Sequence, residues 1–500
     1  MKSLLRFAHA WRLALVSFLL LLPGLAAAQA TPARLPSATT ATIQRLGNAF
    51  VQEKPHVGLS IGLIQQGQPY FYNFGTTAKG QSQVPTPQTV YEIGSISKTF
   101  ASLLLAQAVV EKHVRLTDDV RQYLAGDYPN LAYQGQPIQL LHLANTTSGL
   151  PNNFPGPEAF VGVPADSLIP VGARLGARYT QQQFFQDLHQ VSLARPPGQL
   201  PAHSNVAAQL LGYVLENIYH QPYAELLKTK LEQPLGMHPG TDPGAPGQVA
   251  VGYDKRGRAV PSFSSMPTML AAAGQRYSAT DLLHYVAYQL DEKQPAVTLS
   301  HRATWGAADQ GIALNWLVSK TLDGHRRLRH SGGTFGCASY CDLYPEQRTG
   351  LILLANESDP GTQDALKALS QQIMIALYGE PAGWAALQAN LRQRGYGQVL
   401  ALVRQVRRTH PELFLDEEFV NEWGYSLAAT GKLTEALEIF KLNVSLYPTS
   451  WNTYDSLAET YERVGNRALA IENYRHSIAL NPQNANGVAQ LQRLTELTHK

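Results

Sequence analysis

Ser95 and Lys98 stand three residues apart in Tyr91–Phe100, YEIGSISKTF, at the head of an apolar run, Ala101–Val110, built mostly of Ala, Leu and Val. Such a run reads as a helix buried on most faces. Residues three apart on a helix share a face with Cβ atoms about 5–6 Å apart, so hydroxyl and amine come within reach. A serine hydroxyl is a weak nucleophile until a neighbour takes its proton, and a lysine set against hydrocarbon has its ammonium disfavoured. A helix N-terminus beneath the serine adds free N–H groups and a positive dipole end for a developing oxyanion. Taken alone, Ser-x-x-Lys recurs by chance, and a helix-start serine beside a solvated lysine is the plain alternative.

Three later stretches change that balance. IQLLHLANTTSGLP at Ile138–Pro151, PPGQLPAHSN at Pro196–Asn205 and RHSGGTFG at Arg329–Gly336 follow YEIGSISKTF in order. Together they resemble the serine β-lactamase and penicillin-binding protein superfamily. The match is to its class C β-lactamase-like branch, which also holds D-aminopeptidases, DD-peptidases and carboxylesterases. The resemblance covers roughly Gly58 to Gly379. It implies Ser95 as nucleophile, Lys98 as first proton acceptor, and Asn205 as a hydrogen-bond partner of Lys98 and of a substrate amide. It also implies an oxyanion hole from the backbone N–H groups of Ser95 and Gly333, with Gly332 letting the substrate lie close to its strand.

The chain departs from the family at two positions. His203 stands where the branch carries Tyr, and an imidazole with a reference pKa near ~6.5 is a better general base at neutral pH than a phenol near ~10. His203 is therefore a third catalytic candidate, and a charged Lys98 nearby would depress its pKa. His330-Ser331-Gly332 replaces the Lys-Thr-Gly of the true β-lactamases. The fixed cation for a penicillin carboxylate is gone, which points toward peptidase-like or esterase-like relatives, with His330 and Ser331 facing the substrate.

The elements that must position these residues follow from pattern. Val57–Thr77 holds two apolar runs around Gln65–Gln68 and reads as a β-hairpin that starts a sheet for the Ser95 helix to pack on. Gln209–Tyr219, Tyr223–Leu231, Ala279–Leu290 and Thr362–Leu377 read as helices. Gly311–Val318, Leu328–His330, Cys337–Tyr344 and Gly350–Ala355 read as strands, and Asn152–Arg178 as a long irregular excursion bordering the cleft. Strands at both ends with helices between predict an α+β domain, an antiparallel sheet flanked by helices plus a helical subdomain.

Beyond Pro381 the pattern is all-helical. GKLTEALEIFKLNVSLYP and GNRALAIENYRHSIALNP align Gly431 with Gly465, Ala436 with Ala470, Phe440 with Tyr474 and Pro448 with Pro482. The offset of about 34 residues resembles tetratricopeptide repeats, and Trp384–Val420, with Gly397 one period upstream, is expected to supply a degenerate third unit.

At 500 residues the chain should hold two or three domains. Its net charge of +3, with no basic stripe, argues against nucleic acid as a partner. Lys2, Arg6 and Arg12 precede the apolar run Leu13–Leu22 and the small residues Ala26–Ala30, the pattern of a cleaved secretory signal. A periplasmic or secreted location follows, with no membrane span. The predicted division is residues 1–30 as signal, 31–56 as linker and N-terminal helix near Ala41–Glu53, 57–380 as hydrolase domain and 381–500 as helical repeats. Cys337 and Cys341 are the only cysteines. On one strand they would stand roughly 13 Å apart at ~3.3 Å per residue, too far for a disulfide, so free thiols are expected. No metal or other cofactor is called for. The function read from the sequence is an exported serine hydrolase forming an acyl-enzyme on a peptide, ester or, weakly, a β-lactam. The competing reading is a degenerate scaffold or sensor whose repeats bind a protein partner. A fluorophosphonate probe separates the two.

Overall fold

The computed structural model describes residues 34–53, 56–238 and 249–496; the signal-peptide reading over residues 1–30 lies outside them. Helix α1, Ser37–Gln52, starts earlier than its sequence pattern suggests, after Pro36. It precedes the hairpin of β1, Gly58–Gln65, and β2, Gln68–Gly75, whose two-residue turn has positive φ at both Gln66 and Gly67. That geometry matches the twist of the two strands.

The remaining strands of the sheet come from the second half of the chain: β3, Trp305–Ala307; β4, Gln310–Ile312; β5, Leu317–Lys320; β6, Arg326–Gly333; β7, Ala338–Tyr344; and β8, Thr349–Ala355. Their order is β2-β1-β8-β7-β6-β5-β4-β3, and every pairing is antiparallel. Residues 58–64 and all of β7 and β8 are buried, because helices cover both faces of the sheet there. The single strand expected over Gly311–Val318 is broken in two, with Asn315 between the halves at a φ of 59°.

Between the two strand groups lie α2, Ser97–Val110; α3, Asn205–Tyr219; α4, Ala279–Gln289; and α5, Pro295–Ser300. Helix α4 is capped reciprocally by Ser278 and Asp281 and covers one face of the sheet. A Cβ on Gly350 of β8 would lie 2.3 Å from Val286 of α4, so glycine lets the two approach. The Ser95 helix was expected to pack on the sheet, but the main neighbours of α2 are α3 and α5, with Phe100 stacked on Tyr285 of α4 at 3.9 Å. An apolar α2 is thereby surrounded by other helices. The excursion Asn152–Arg178 is not wholly irregular either: it ends in a helix, Leu168–Arg178.

Helix α6, Pro360–Tyr378, covers the opposite face and closes the sheet. The helices that follow are α7, Ala382–Arg394; α8, Val399–Thr409; α9, Glu417–Ala429; α10, Leu433–Leu446; α11, Trp451–Arg463; α12, Arg467–Leu480; and α13, Ala485–Glu496. They bury a core of their own, including Leu387, Val403, Ile439, Phe440 and Tyr474. The pair α9–α10 recurs as α11–α12 at an offset of 34 residues, from Glu417 to Trp451 and from Leu433 to Arg467. Gly431 and Gly465 both sit at φ 81° in the turn of their pair. One pair upstream the left-handed glycine is Gly395 at φ 70°, two residues before the expected Gly397. Cys337 and Cys341 are free and buried, and burial pushes both thiols up. Among the described residues no helix is long and apolar enough to cross a membrane.

Candidate active site

Ser95 lies in a 3₁₀ turn, Gly94–Ile96, that runs straight into α2. Gly94 has φ 53°, and a Cβ there would lie 2.5 Å from the backbone nitrogen of Gly333. Strand β6 therefore lies hard against the turn that carries the serine, and two glycines allow it. Gly332 is tighter still: a Cβ on it would stand 2.0 Å from the carbonyl oxygen of Ile93.

Lys98, one turn along, is 1% exposed. Its Nζ is 2.7 Å from Ser95 Oγ, 2.6 Å from Asn205 Oδ1 and 2.9 Å from the carbonyl oxygen of Ala272. Burial lowers its pKa to about 7, so an appreciable fraction is a neutral amine at physiological pH.

The second motif is held by helix capping. Ser204 is the N-cap of α3: its Oγ accepts from the N–H of Ala207 and donates to the carbonyl of Pro151. The cap sets His203 just before the helix and Asn205 at its first residue. His203 Nε2 lies 3.4 Å from Ser95 Oγ, and its Nδ1 lies 2.7 Å from Asn152 Oδ1. Burial first, and the charge on Lys98 second, lower the His203 pKa to about 4. The side chain nevertheless faces an open cleft. Asn205 donates its Nδ2 to Asn153 Oδ1, and its backbone N–H to the carbonyl of Asn152.

His330 and Ser331 stand on β6, where His330 Nδ1 donates to the Ser331 carbonyl. Burial, then Lys98, lower the His330 pKa to about 3, so this residue supplies a neutral ring where a fixed cation would be needed to hold a carboxylate. Ser95, His203, Asn205, His330, Ser331 and Gly333 all open onto one cleft of about 600 Å³. Gly332 is buried behind it, and Lys98 reaches the cleft through the serine. The structure thus brings together every site residue expected from the sequence.

Three contributors escaped sequence reading. Asn152 and Asn153 were assigned to the excursion, although a doublet of amides directly after Pro151 was a visible signal. The carbonyl of Ala272 left no signal, since any residue offers one. Chemically, the arrangement holds a serine hydroxyl between a buried amine and an imidazole, beside a strand edge that places backbone N–H groups near the same point.

A family model described as Beta-lactamase matches residues 43–373. Among curated proteins, a β-lactamase of Pseudomonas fluorescens is 26% identical over 362 residues, covering 63% of this chain and 92% of that protein. The D-alanyl-D-alanine-carboxypeptidase/endopeptidase AmpH of Escherichia coli (strain K12) is 25% identical over 353 residues, covering 66% and 87%. Among solved structures, a β-lactamase/D-alanine carboxypeptidase from Pseudomonas syringae has a TM-score of 0.57 at 22% identity, covering 69% of this chain and 100% of that one. A class C β-lactamase has a TM-score of 0.58 at 23% identity, covering 69% and 98%.

Proposed function

The chain belongs to the β-lactamase family, and from that premise we propose that it is an exported serine hydrolase that cleaves uncharged esters or amides through an acyl-enzyme on Ser95. The observation that carries the reading is the 2.7 Å contact between Ser95 Oγ and a buried Lys98. Neutral Lys98 takes the hydroxyl proton as Oγ attacks the carbonyl carbon. The oxyanion that forms faces the N–H groups of Ser95 and Gly333. Collapse breaks the bond to the leaving group, which receives the proton from Lys98, and leaves an ester on Ser95. His203, farther from Ser95 Oγ and open to the cleft, then takes a proton from the water that attacks the acyl carbon and returns it to Ser95 Oγ as the ester bond breaks and the acid leaves.

The substrate class follows from what lines the cleft. Among the described residues lining it there is no Lys, Arg, Asp or Glu, while Phe263, Phe335, Ile312 and Leu317 supply apolar wall. A carboxylate entering this cleft would lose hydration, and the nearby Lys98 is buried and already bonded to Ser95, Asn205 and the Ala272 carbonyl. A β-lactam or a D-alanyl peptide carries such a carboxylate; a neutral ester or amide does not. The signal sequence supports export, and the paired helices after residue 380 are read as tetratricopeptide-type repeats.

Intact-mass analysis after a fluorophosphonate tests the nucleophile: one adduct is expected, lost in Ser95→Ala. An unlabelled protein would favour the scaffold reading. Comparing p-nitrophenyl butyrate with nitrocefin and a D-alanyl-D-alanine peptide tests the substrate class. Faster turnover of either carboxylate-bearing substrate would overturn it.

A further inference from the structure

Of the three acceptors around Lys98, the Ala272 carbonyl is the one that no side chain supplies, so other residues must hold its backbone in place. Residues 269–274 form a turn that largely satisfies itself: the N–H groups of Ala272, Ala273 and Gly274 all donate to the carbonyl of Met269, at 3.1, 2.8 and 2.8 Å. The N–H of Ala271 instead leaves the turn and donates to Oε1 of Gln209 on α3 at 3.1 Å.

Gln209 is buried, and its place on α3 matters. It follows Asn205 by four residues and precedes Gly212 by three, so the three share one face of the helix. Asn205 bonds Lys98 directly. Gly212 lies against the turn, where a Cβ would stand 2.7 Å from the Cβ of Ala271. That atom is fixed to the backbone, so a side chain at 212 would displace the turn. Ala271 and Ala272 are fully buried, and water is no substitute there for a lost partner. A second tie lies at the end of the turn, where the N–H and Nε2 of Gln275 reach Oγ and the carbonyl of Ser97 on α2, both at 3.4 Å. These bonds are longer than the usual range and hold a residue three beyond Ala272.

We propose that Gln209 and Gly212 are positioning residues: one stripe of α3 supplies both distant acceptors of Lys98, Asn205 directly and the Ala272 carbonyl through Gln209 and Gly212, and so sets how firmly the amine holds its proton. The kinetic consequence rests on the reading of Lys98 as the base that takes the Ser95 proton. A carbonyl that accepts from Nζ favours the ammonium over the amine. Without it, the burial that lowers Lys98 to about 7 would meet less opposition. His203, ahead of α3, and His330, on β6, face Lys98, and its charge helps to keep both neutral. From α4, Tyr285 donates to Thr99, the next residue along, and α5 carries no titratable side chain.

Carbon-13 NMR of the full chain with labelled lysine, titrated from about pH 5 to 10, reads Lys98 as the resonance missing in Lys98→Met. Gln209→Met keeps the length and loses the acceptor. It should lower the Lys98 pKa by about one unit, the scale of one hydrogen bond to a charged group. Gly212→Ala displaces the same turn from a second position and should lower it too. Gln209→Glu keeps an acceptor and should hold the value at or above that of the parent. Melting curves check that each variant is folded. The acidic limb of fluorophosphonate labelling at Ser95 should move with the Lys98 value. A value unmoved in both Gln209→Met and Gly212→Ala would mean that Gln275 alone holds the turn, and would overturn the proposal. So would a fall in Gln209→Glu equal to that in Gln209→Met. Parent protein that the fluorophosphonate never labels would defeat the hydrolase reading instead, while the NMR titration still decides the role of Gln209.

Discussion

The Nδ1 of His203 lies 2.7 Å from the side-chain oxygen of Asn152, and this contact decides which ring nitrogen faces Ser95. An amide oxygen only accepts, so Nδ1 carries the proton and Nε2 presents a lone pair to the serine side. Asn152→Ala should therefore lower kcat on p-nitrophenyl butyrate by about 10–100-fold, the usual loss when the partner orienting a histidine is removed. Asn152→Asp keeps the acceptor and adds a negative charge, which raises the imidazole pKa. Its acidic limb in kcat should move to higher pH than in the parent, and an unmoved limb would mean that His203 takes no part.

Acylation and deacylation should titrate separately. Burial holds Lys98 at about 7, and it must be neutral to take the Ser95 proton. The acidic limb of kcat/KM, which reports the free enzyme, should lie near that value. His203, lowered to about 4 by burial and by Lys98, stays neutral far below it. Where deacylation limits, kcat should persist to lower pH than kcat/KM. Pre-steady-state burst rates and steady-state kcat measured from pH 4 to 9 check this, and coincident limbs would assign both steps to one base.

Gly332 and Gly333 should respond differently to alanine. A Cβ on Gly332 would stand 2.0 Å from the Ile93 carbonyl, which is backbone and cannot swing aside. Gly332→Ala should thus push β6 away from the serine turn and cost roughly 10²–10³-fold in kcat, the scale of losing an oxyanion donor. On Gly333 the nearest atom is the Gln363 side-chain amide at 2.4 Å, the end of a flexible chain. Gly333→Ala should retain activity within about tenfold, since any smaller loss is below 1.4 kcal/mol in the barrier.

The C-terminal helices are tied to the sheet and to α6 by Glu418, which bonds both Arg329 and Lys367. Burial pulls this carboxyl up, but the two cations outweigh it and hold it down at about 2. A depressed carboxylate stabilises the fold above its unfolded pKa, near ~4.3 for Glu, and loses that contribution as pH falls through the folded value. The Tm gap between the parent and Glu418→Gln should be constant above about pH 5 and close toward pH 2. A gap that does not change with pH would show that the pair is energetically idle, as many exposed pairs are.

Much of the site was legible because it is local. Ser95 and Lys98 meet through the three-residue spacing of a helix, the hairpin at Gln66–Gly67 announces itself by its turn, and the helical repeats by a fixed period. The position of His203 against Asn205 follows from a capping serine between them.

What surrounds Lys98 was decided by the tertiary structure. Its three acceptors lie 3, 107 and 174 residues away along the chain, and only the first is set by helix geometry. The others arrive because α3 packs on α2 and brings Asn205 with it, while Gln209 of α3 fixes Ala271 beside Ala272 through its backbone N–H. Burial of the amine, and with it the fall in pKa that makes Lys98 a base, is likewise a property of the assembled helices. The sequence determined which groups could react. Packing between segments far apart in the chain decided their distances and their protonation, because burial and long-range contact are not encoded in any local spacing.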